Sequence, residues 1–285
     1  MVSTDPDIPE LRDPWMIAAF EGWNDAGDAA SGVVDHLLDE WDAEILTELD
    51  PEDYYDFQMN RPHIGTDEEG ERFIHWPSTV IYYARLKNSE RDVVLVRGLE
   101  PNFRWMQYCS TIVGLGELVG ATSLVTLGAL LADTPHTRPV PITGTTSDPF
   151  LGSRLELEPS RYTGPIGINS VLAETASARD ISTLSLWAAV PHYLAEPPCP
   201  KATLALLGRL EDAMGIPLPQ GVLREMTEAW QRGAEDLSEK DEEIAEYVQA
   251  LENERDTSEL PEASGDAIAR EFERYLRRRS TDPEA

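Results

Sequence analysis

WMIAAFEGWNDAGDAASGVVDHLL, residues 15–38, joins three patterns in one run. Residues 16–20 are apolar without a break, as in a strand buried in an α/β sheet. Residues 21–25 are a polar turn, Glu-Gly-Trp-Asn-Asp. Ala26, Ala29, Ala30, Val33, Val34, Leu37 and Leu38 then recur at the spacing of one helical face. Strand, turn and helix in that order open an α/β sheet. In open sheets of this kind, ligands sit at the turns that leave the carboxyl ends of strands. Glu21, Asn24 and Asp25 are therefore the first candidate site residues. Asp25 also stands where it would cap a helix starting at Ala26, with Asp28 favourable in the first turn.

Working outward, residues 43–49, 80–86, 93–96, 123–131, 140–144 and 184–190 read as further strands. Residues 61–76 read as a hairpin with an exposed loop at 66–70. Helical spacing recurs at Phe103, Met106, Cys109, Ile112 and Val113, and again over residues 169–178. Strands alternating with helices predict a mostly parallel sheet covered on both faces. Composition changes after Pro200, where amphipathic helices are expected over 201–214, 219–238 and 241–252. A polar break at 257–264 precedes a last helix at 265–279, whose three closing arginines suit the negative end of the helix dipole. The expected organisation is a loosely packed lead (1–13), an α/β domain (14–200) and a helical region (201–285).

The chain has 285 residues, 23 of them Lys or Arg against 53 Asp or Glu, for a net charge of -30. That field opposes nucleic acid and anionic membranes, both of which need clustered cations. It favours solubility and suits cationic partners or a high-salt cytoplasm. Cys109 and Cys199 lie far apart without metal-ligand spacing, so neither a disulfide framework nor a zinc site is expected. The first residues are acidic and proline-bearing rather than basic then apolar, and no run approaches the ~18 apolar residues of a membrane span. The expected localisation is cytoplasmic.

Two later turns carry polar chemistry. Arg97, Glu100 and Asn102 follow one apolar run, and Asp133, His136 and Arg138 follow another. The second trio offers a base or an anion clamp. The plain alternative is a turn in which Asp133 accepts backbone hydrogen bonds and Arg138 pairs with a surface acid. Glu21, Asp25 and Glu100 would make an acidic cleft if their strands are neighbours, which does not suit phosphate unless Arg97 and Arg138 offset it. Gly114, Gly116 and Gly120 resemble a dinucleotide fingerprint but are spaced G-x-G-x-x-x-G at the end of a helix, where the fingerprint needs a preceding strand. They read as a helix terminus with close packing. No nucleophile elbow, H-E-x-x-H or phosphate loop occurs. The five histidines lack metal spacing, and His36 falls on the polar side of its helix. No cofactor is expected.

Several of these segments together resemble the proteasome assembly chaperone 2 family in its actinobacterial branch. They are FEGWNDAGDAA (20–30), RGLEPNFRW (97–105), LLADTPHTRPVPITG (130–144), YTGPIGINSVL (162–172) and LWAAVPHYL (186–194), with DEEIAEYVQALE (241–252) and SGDAIAREFERYLRR (264–278) in the tail. The resemblance implies a three-layer α/β/α sandwich similar to nucleoside phosphorylases. It also implies an interaction or assembly factor without catalysis, a protein partner that need not be proteasomal, and a homo-oligomer, with a trimer by analogy to the phosphorylases. Family members that dock on proteasome rings end in a hydrophobic-Tyr-X tail, whereas this chain ends Thr281-Asp282-Pro283-Glu284-Ala285. The alternative is a protein or enzyme that binds a nucleoside- or anion-like molecule in the cleft at the strand exits.

Overall fold

The computed structural model describes residues 8–67, 70–157 and 163–258. In chain order the strands are β1 (Trp15–Glu21), β2 (Glu44–Leu49), β3 (His63–Thr66), β4 (Arg72–His75), β5 (Thr79–Ala84), β6 (Val93–Leu99), β7 (Ser123–Ala132), β8 (Ile142–Thr146) and β9 (Ser182–Pro191). The helices are α1 (Ala29–Glu40), α2 (Pro51–Tyr54), α3 (Trp105–Leu118), α4 (Pro149–Arg154), α5 (Ile168–Ser177), α6 (Pro200–Met214), α7 (Leu223–Lys240) and α8 (Glu242–Ser258).

β1 lies at the centre of a seven-stranded sheet of order β2-β5-β6-β1-β7-β9-β8. Its side chains alternate between two cores, as strand geometry requires. Ile17 and Ala19 face Val33 and Leu37 of α1 and Leu206 and Leu210 of α6. Met16, Ala18 and Phe20 face Tyr108 and Ile112 of α3 and Ile168 and Leu172 of α5. This is the expected α/β/α sandwich. Each fully buried side chain of Ile17's size contributes about 1.5–3 kcal/mol by leaving water, which is why an unbroken apolar strand goes to the middle.

The sheet is mixed. β6, β1, β7 and β9 are mutually parallel, while β5 and β2 at one side and β8 at the other run antiparallel to their neighbours. The turn between β5 and β6 is too short to carry a crossover, so these two strands must pair antiparallel. The hairpin β3–β4 forms as expected and makes a separate two-stranded sheet.

Several expectations are corrected. β6 runs on to Leu99, so Arg97 and Gly98 belong to the strand and not to a turn. β8 lies two residues later than its apolar run suggested. Phe103 and Met106 are exposed, while Cys109, Ile112 and Val113 face the core. His36 is buried and its Nε2 lies 2.9 Å from the Pro219 carbonyl, because the chain ahead of α7 covers it. Arg12 is tied down rather than loose, its guanidinium and backbone N–H bonding the Asp92 carboxylate at 2.6 and 2.8 Å. Burial opposes ionisation of Asp92, but hydrogen bonds from Arg12 and Leu86 outweigh it and hold the carboxyl below its usual range. Gly120, at φ 77°, ends α3 as expected, and Ala121 N–H returns to the Gly116 carbonyl at 2.8 Å.

α6 packs in the same core as α1, with Leu206, Leu207 and Leu210 buried. α8 extends through Thr257 and Ser258, where a break was expected. The expected helix at 265–279 and its arginines lie outside the described residues. No helix among the described residues is long and apolar enough to cross a membrane.

Candidate functional site

The chain leaves β1 through Gly22 and a single 3-10 turn in which Gly27 and Asp28 take left-handed backbone. α1 therefore begins at Ala29, three residues later than expected. Asp25 still caps it, since its Oδ1 accepts from Ala30 N–H at 2.7 Å and Ser31 N–H at 3.2 Å. Burial pushes the Asp25 carboxyl up, opposed by those hydrogen bonds. Its carboxylate is turned into the helix end.

Asn24 is fully buried, and its Nδ2 donates to Glu100 Oε1 at 2.8 Å. The same oxygen accepts from the N–H of Ile168, first residue of α5, at 3.0 Å. A helix amino terminus is a ready position for an anion, and here Glu100 fills it. Gly167 lies directly against the Asn24 carboxamide, and a Cβ at that position would collide with Oδ1. Asn169 extends the arrangement by donating to the Leu127 carbonyl at 2.8 Å.

On the other face of the sheet, Arg97 reaches both Glu21 and Asp35, the latter at 2.6 Å through Nε. Burial disfavours its charge, but the two carboxylates outweigh that and raise the guanidinium above its ordinary value. The arginine expected to offset an acidic cleft is thus neutralised. Glu21 and Arg97 line a cleft of about 470 Å³ with His63, His75, Trp76 and Tyr82. Asn102 serves the neighbouring loop, its Oδ1 accepting from Asp56 N–H and Asn60 Nδ2, both at 2.8 Å.

Asp133, His136 and Arg138 form a separate cluster under α8. Tyr247 donates to Asp133 at 2.9 Å, Arg138 bonds Glu252 at 3.0 Å, and Arg255 donates to Thr134 at 3.2 Å. His136 is buried, with its backbone N–H and its Nδ1 each 2.8 Å from the Tyr193 hydroxyl. Burial lowers its pKa, and the nearby Lys201 lowers it further. The first two strand exits therefore meet, one pair on each face of the sheet, while the third stands apart. Glu21 joins Arg97, Asn24 joins Glu100, and the His136 group meets the tail.

A chain of hydroxyls escaped sequence reasoning. Tyr55 and Tyr108 both bond Thr79 at 2.6 Å, and Tyr55 donates on to the Leu99 carbonyl at 3.0 Å. It ties the start of β5 to the end of β6 beside α2. Nothing local marks it, because its members come from four separated segments.

A cleft of about 1390 Å³ runs along the carboxyl end of β7 and the facing parts of β8 and β9. Trp23, Leu130, Leu131, Ile166 and Trp187 line it, and none of the nine candidate residues does. Among the described residues no group of three or more His, Cys, Asp or Glu is placed to hold a metal ion. Both cysteines are free and buried, and burial pushes the Cys109 thiol up to about 12.

Residues 19–251 match the PAC2 family model. The crystal structure of a PAC2 family protein from Streptomyces avermitilis is 52% identical, with TM-score 0.77 over 83% of this chain and 100% of that one. That of a Mycobacterium tuberculosis proteasome-assembly chaperone homologue is 44% identical, with TM-score 0.75 over 82% of this chain and 99% of that one. An archaeal proteasome activator from Pyrococcus furiosus shares the fold at 16% identity, with TM-score 0.64 over 80% of this chain and 95% of that one. A search of curated proteins found no match. With four-fifths of the chain spanned by the family model and by two actinobacterial structures of this identity, the chain belongs to the PAC2 family.

Proposed function

We propose that this protein is a non-catalytic interaction protein of the proteasome-assembly type, working in the cytoplasm. One observation carries the reading: the charged groups at the strand exits bind the chain's own atoms. Glu100 occupies the α5 amino terminus, Arg97 is held by Glu21 and Asp35, and Asp133 and Arg138 hold α8. A site built for an anionic substrate would leave such groups turned toward the ligand. The 44% identity to a proteasome-assembly chaperone homologue supports the partner class. The test mixes the purified protein with unassembled proteasome α and β subunits from the same source and follows half-proteasome formation by native mass spectrometry. A complex with the subunits, or faster assembly, is expected. Unchanged assembly with no complex overturns the reading.

The 1390 Å³ cleft favours a second reading, a small-molecule sensor. Its lining is aromatic and aliphatic, so a nucleoside is a better probe than inorganic phosphate. Thermal-shift screening decides between them, because a ligand at 100 times its Kd stabilises by about 2.7 kcal/mol.

A further inference from the structure

α7 and α8 form an antiparallel pair joined at Asp241. Gln231 of α7 accepts from the Lys201 ammonium at 2.9 Å, and the same ammonium donates to the His136 carbonyl. Glu252, about as far beyond Asp241 as Gln231 is before it, bonds Thr137 and Arg138. Both helices meet one loop, which requires α8 to run back along α7.

The apolar face of α7 is wider than the surface that covers it. Leu223 and Ala234 are buried and Trp230 packs on the core. On the adjoining face Val222, Met226, Ala229, Gly233 and Leu237 follow at spacings of three and four residues. Val222, Met226 and Leu237 are 63%, 41% and 38% exposed, and a Cβ at Gly233 would meet no atom within 4 Å. Among the described residues nothing covers this stripe, which has the form of a helix-packing face. Charge along it is graded. The first half of α7 is balanced, with Arg224 and Arg232 against Glu225 and Glu228. The corner between α7 and α8 exposes Glu235, Asp236, Glu239, Asp241, Glu242 and Glu243 against one lysine, Lys240, which pairs with Asp236 at 3.3 Å.

The chain continues beyond α8 into residues outside the described ones. In sequence, Ile268, Phe272, Tyr275 and Leu276 recur on one helical face of 265–279. The acids of that segment, Asp266, Glu271 and Glu273, all come first, and 274–279 holds Arg274, Arg277, Arg278 and Arg279 with no acid.

We propose that residues 265–279 form a helix that lies along the exposed stripe of α7, parallel to it, as the third member of a bundle with α7 and α8. An up-down-up order brings the last turn of the segment to the acidic corner, so its arginines meet the acids there. A register that sets large residues over small ones, Phe272 on Ala229 and Leu276 on Gly233, also brings Arg279 level with Asp236. Lengths agree, since the segment as a helix is about 22 Å long beside about 27 Å for α7. Residues 259–264 reach about 20 Å when extended, against about 8–10 Å between packed helices. This docking is independent of the assembly-factor reading, whose test follows proteasome subunits.

The experiment is hydrogen exchange by mass spectrometry on the full chain. In the wild type the amides of 265–279 are expected to exchange about tenfold or more below their intrinsic rates, with no change on dilution across the micromolar range. Met226→Asp with Leu237→Asp, both at exposed positions, should return the segment to intrinsic rates while β1 and α1 stay protected. Phe272→Asp with Leu276→Asp should in turn speed exchange in 222–237. Arg277→Glu with Arg278→Glu and Arg279→Glu should weaken protection by setting acid against acid at the corner. Segment amides at intrinsic rates in the wild type overturn the proposal, as does protection that survives the α7 variant or the arginine variant. Protection that fades on dilution places the segment on a second copy and equally overturns it.

Discussion

Glu100 does with one oxygen what a bound anion would do, accepting from Asn24 Nδ2 and from the first N–H of α5. Glu100→Ala leaves both donors without an acceptor and removes a negative charge from a helix amino terminus. The expected cost is about 2–3 kcal/mol, from unsatisfied donors at ~1–3 kcal/mol and a dipole contribution of at most ~1 kcal/mol. Glu100→Gln keeps an oxygen and should cost about half as much. Urea unfolding monitored by circular dichroism measures both, and equal losses for the two variants would sink the account. At this scale the sequence reveals what is local. Asp25 could be read as a cap because the donors it meets are five and six residues away. Glu100 could be picked out but not assigned, since its partners lie 76 and 68 positions off.

At the scale of elements, the apolar stripe of α8 was legible, but the surface it covers was not. Val248 and Leu251 are buried, and Tyr247, Glu252 and Arg255 fasten α8 to the exit of β7. The hairpin was legible from its glycines and alternation. Gly98 looked like a turn residue because nothing local shows that Thr79 of β5 packs on it. The α8 clasp gives a pH prediction through His136, which faces Tyr193, the Lys201 ammonium on α6, and the acids Glu235 on α7 and Glu252 on α8. Its folded pKa lies below the ordinary 6.5, so the unfolded chain binds more protons between the two values. The stabilisation from neutral His136 is complete above pH 6.5 and is lost as pH falls through the folded value. Hydrogen exchange in residues 242–258, corrected for intrinsic rates, should show weaker protection at mildly acidic pH than at neutral pH. His136→Asn should flatten that difference, and a variant retaining the full wild-type difference would show that another group is responsible.

For the whole molecule, the first strand, turn and helix announced an α/β sandwich because burial of β1 on both faces leaves few other architectures. The antiparallel edges were not legible, since edge strands carry the same apolar runs as parallel ones and direction depends on connections. The charge of -30 acts at this scale too. With 53 acids and 23 bases, negative charge stays in excess by 30 whatever the pairing, and repulsion within that excess opposes the compact state. Screening length falls from about 8 Å at physiological ionic strength to about 3 Å at 1 M. Added NaCl therefore weakens many long-range repulsions. The exposed ion pairs it also weakens, such as Lys240 with Asp236, contribute only about 0–1 kcal/mol each. Repulsion outweighs attraction, so the melting temperature should rise with NaCl. A gain of about 1–2 kcal/mol would move the midpoint by several degrees in a chain of this size. A midpoint that falls steadily with NaCl would mean that short-range pairs, and not the net charge, govern the electrostatic stability of the chain.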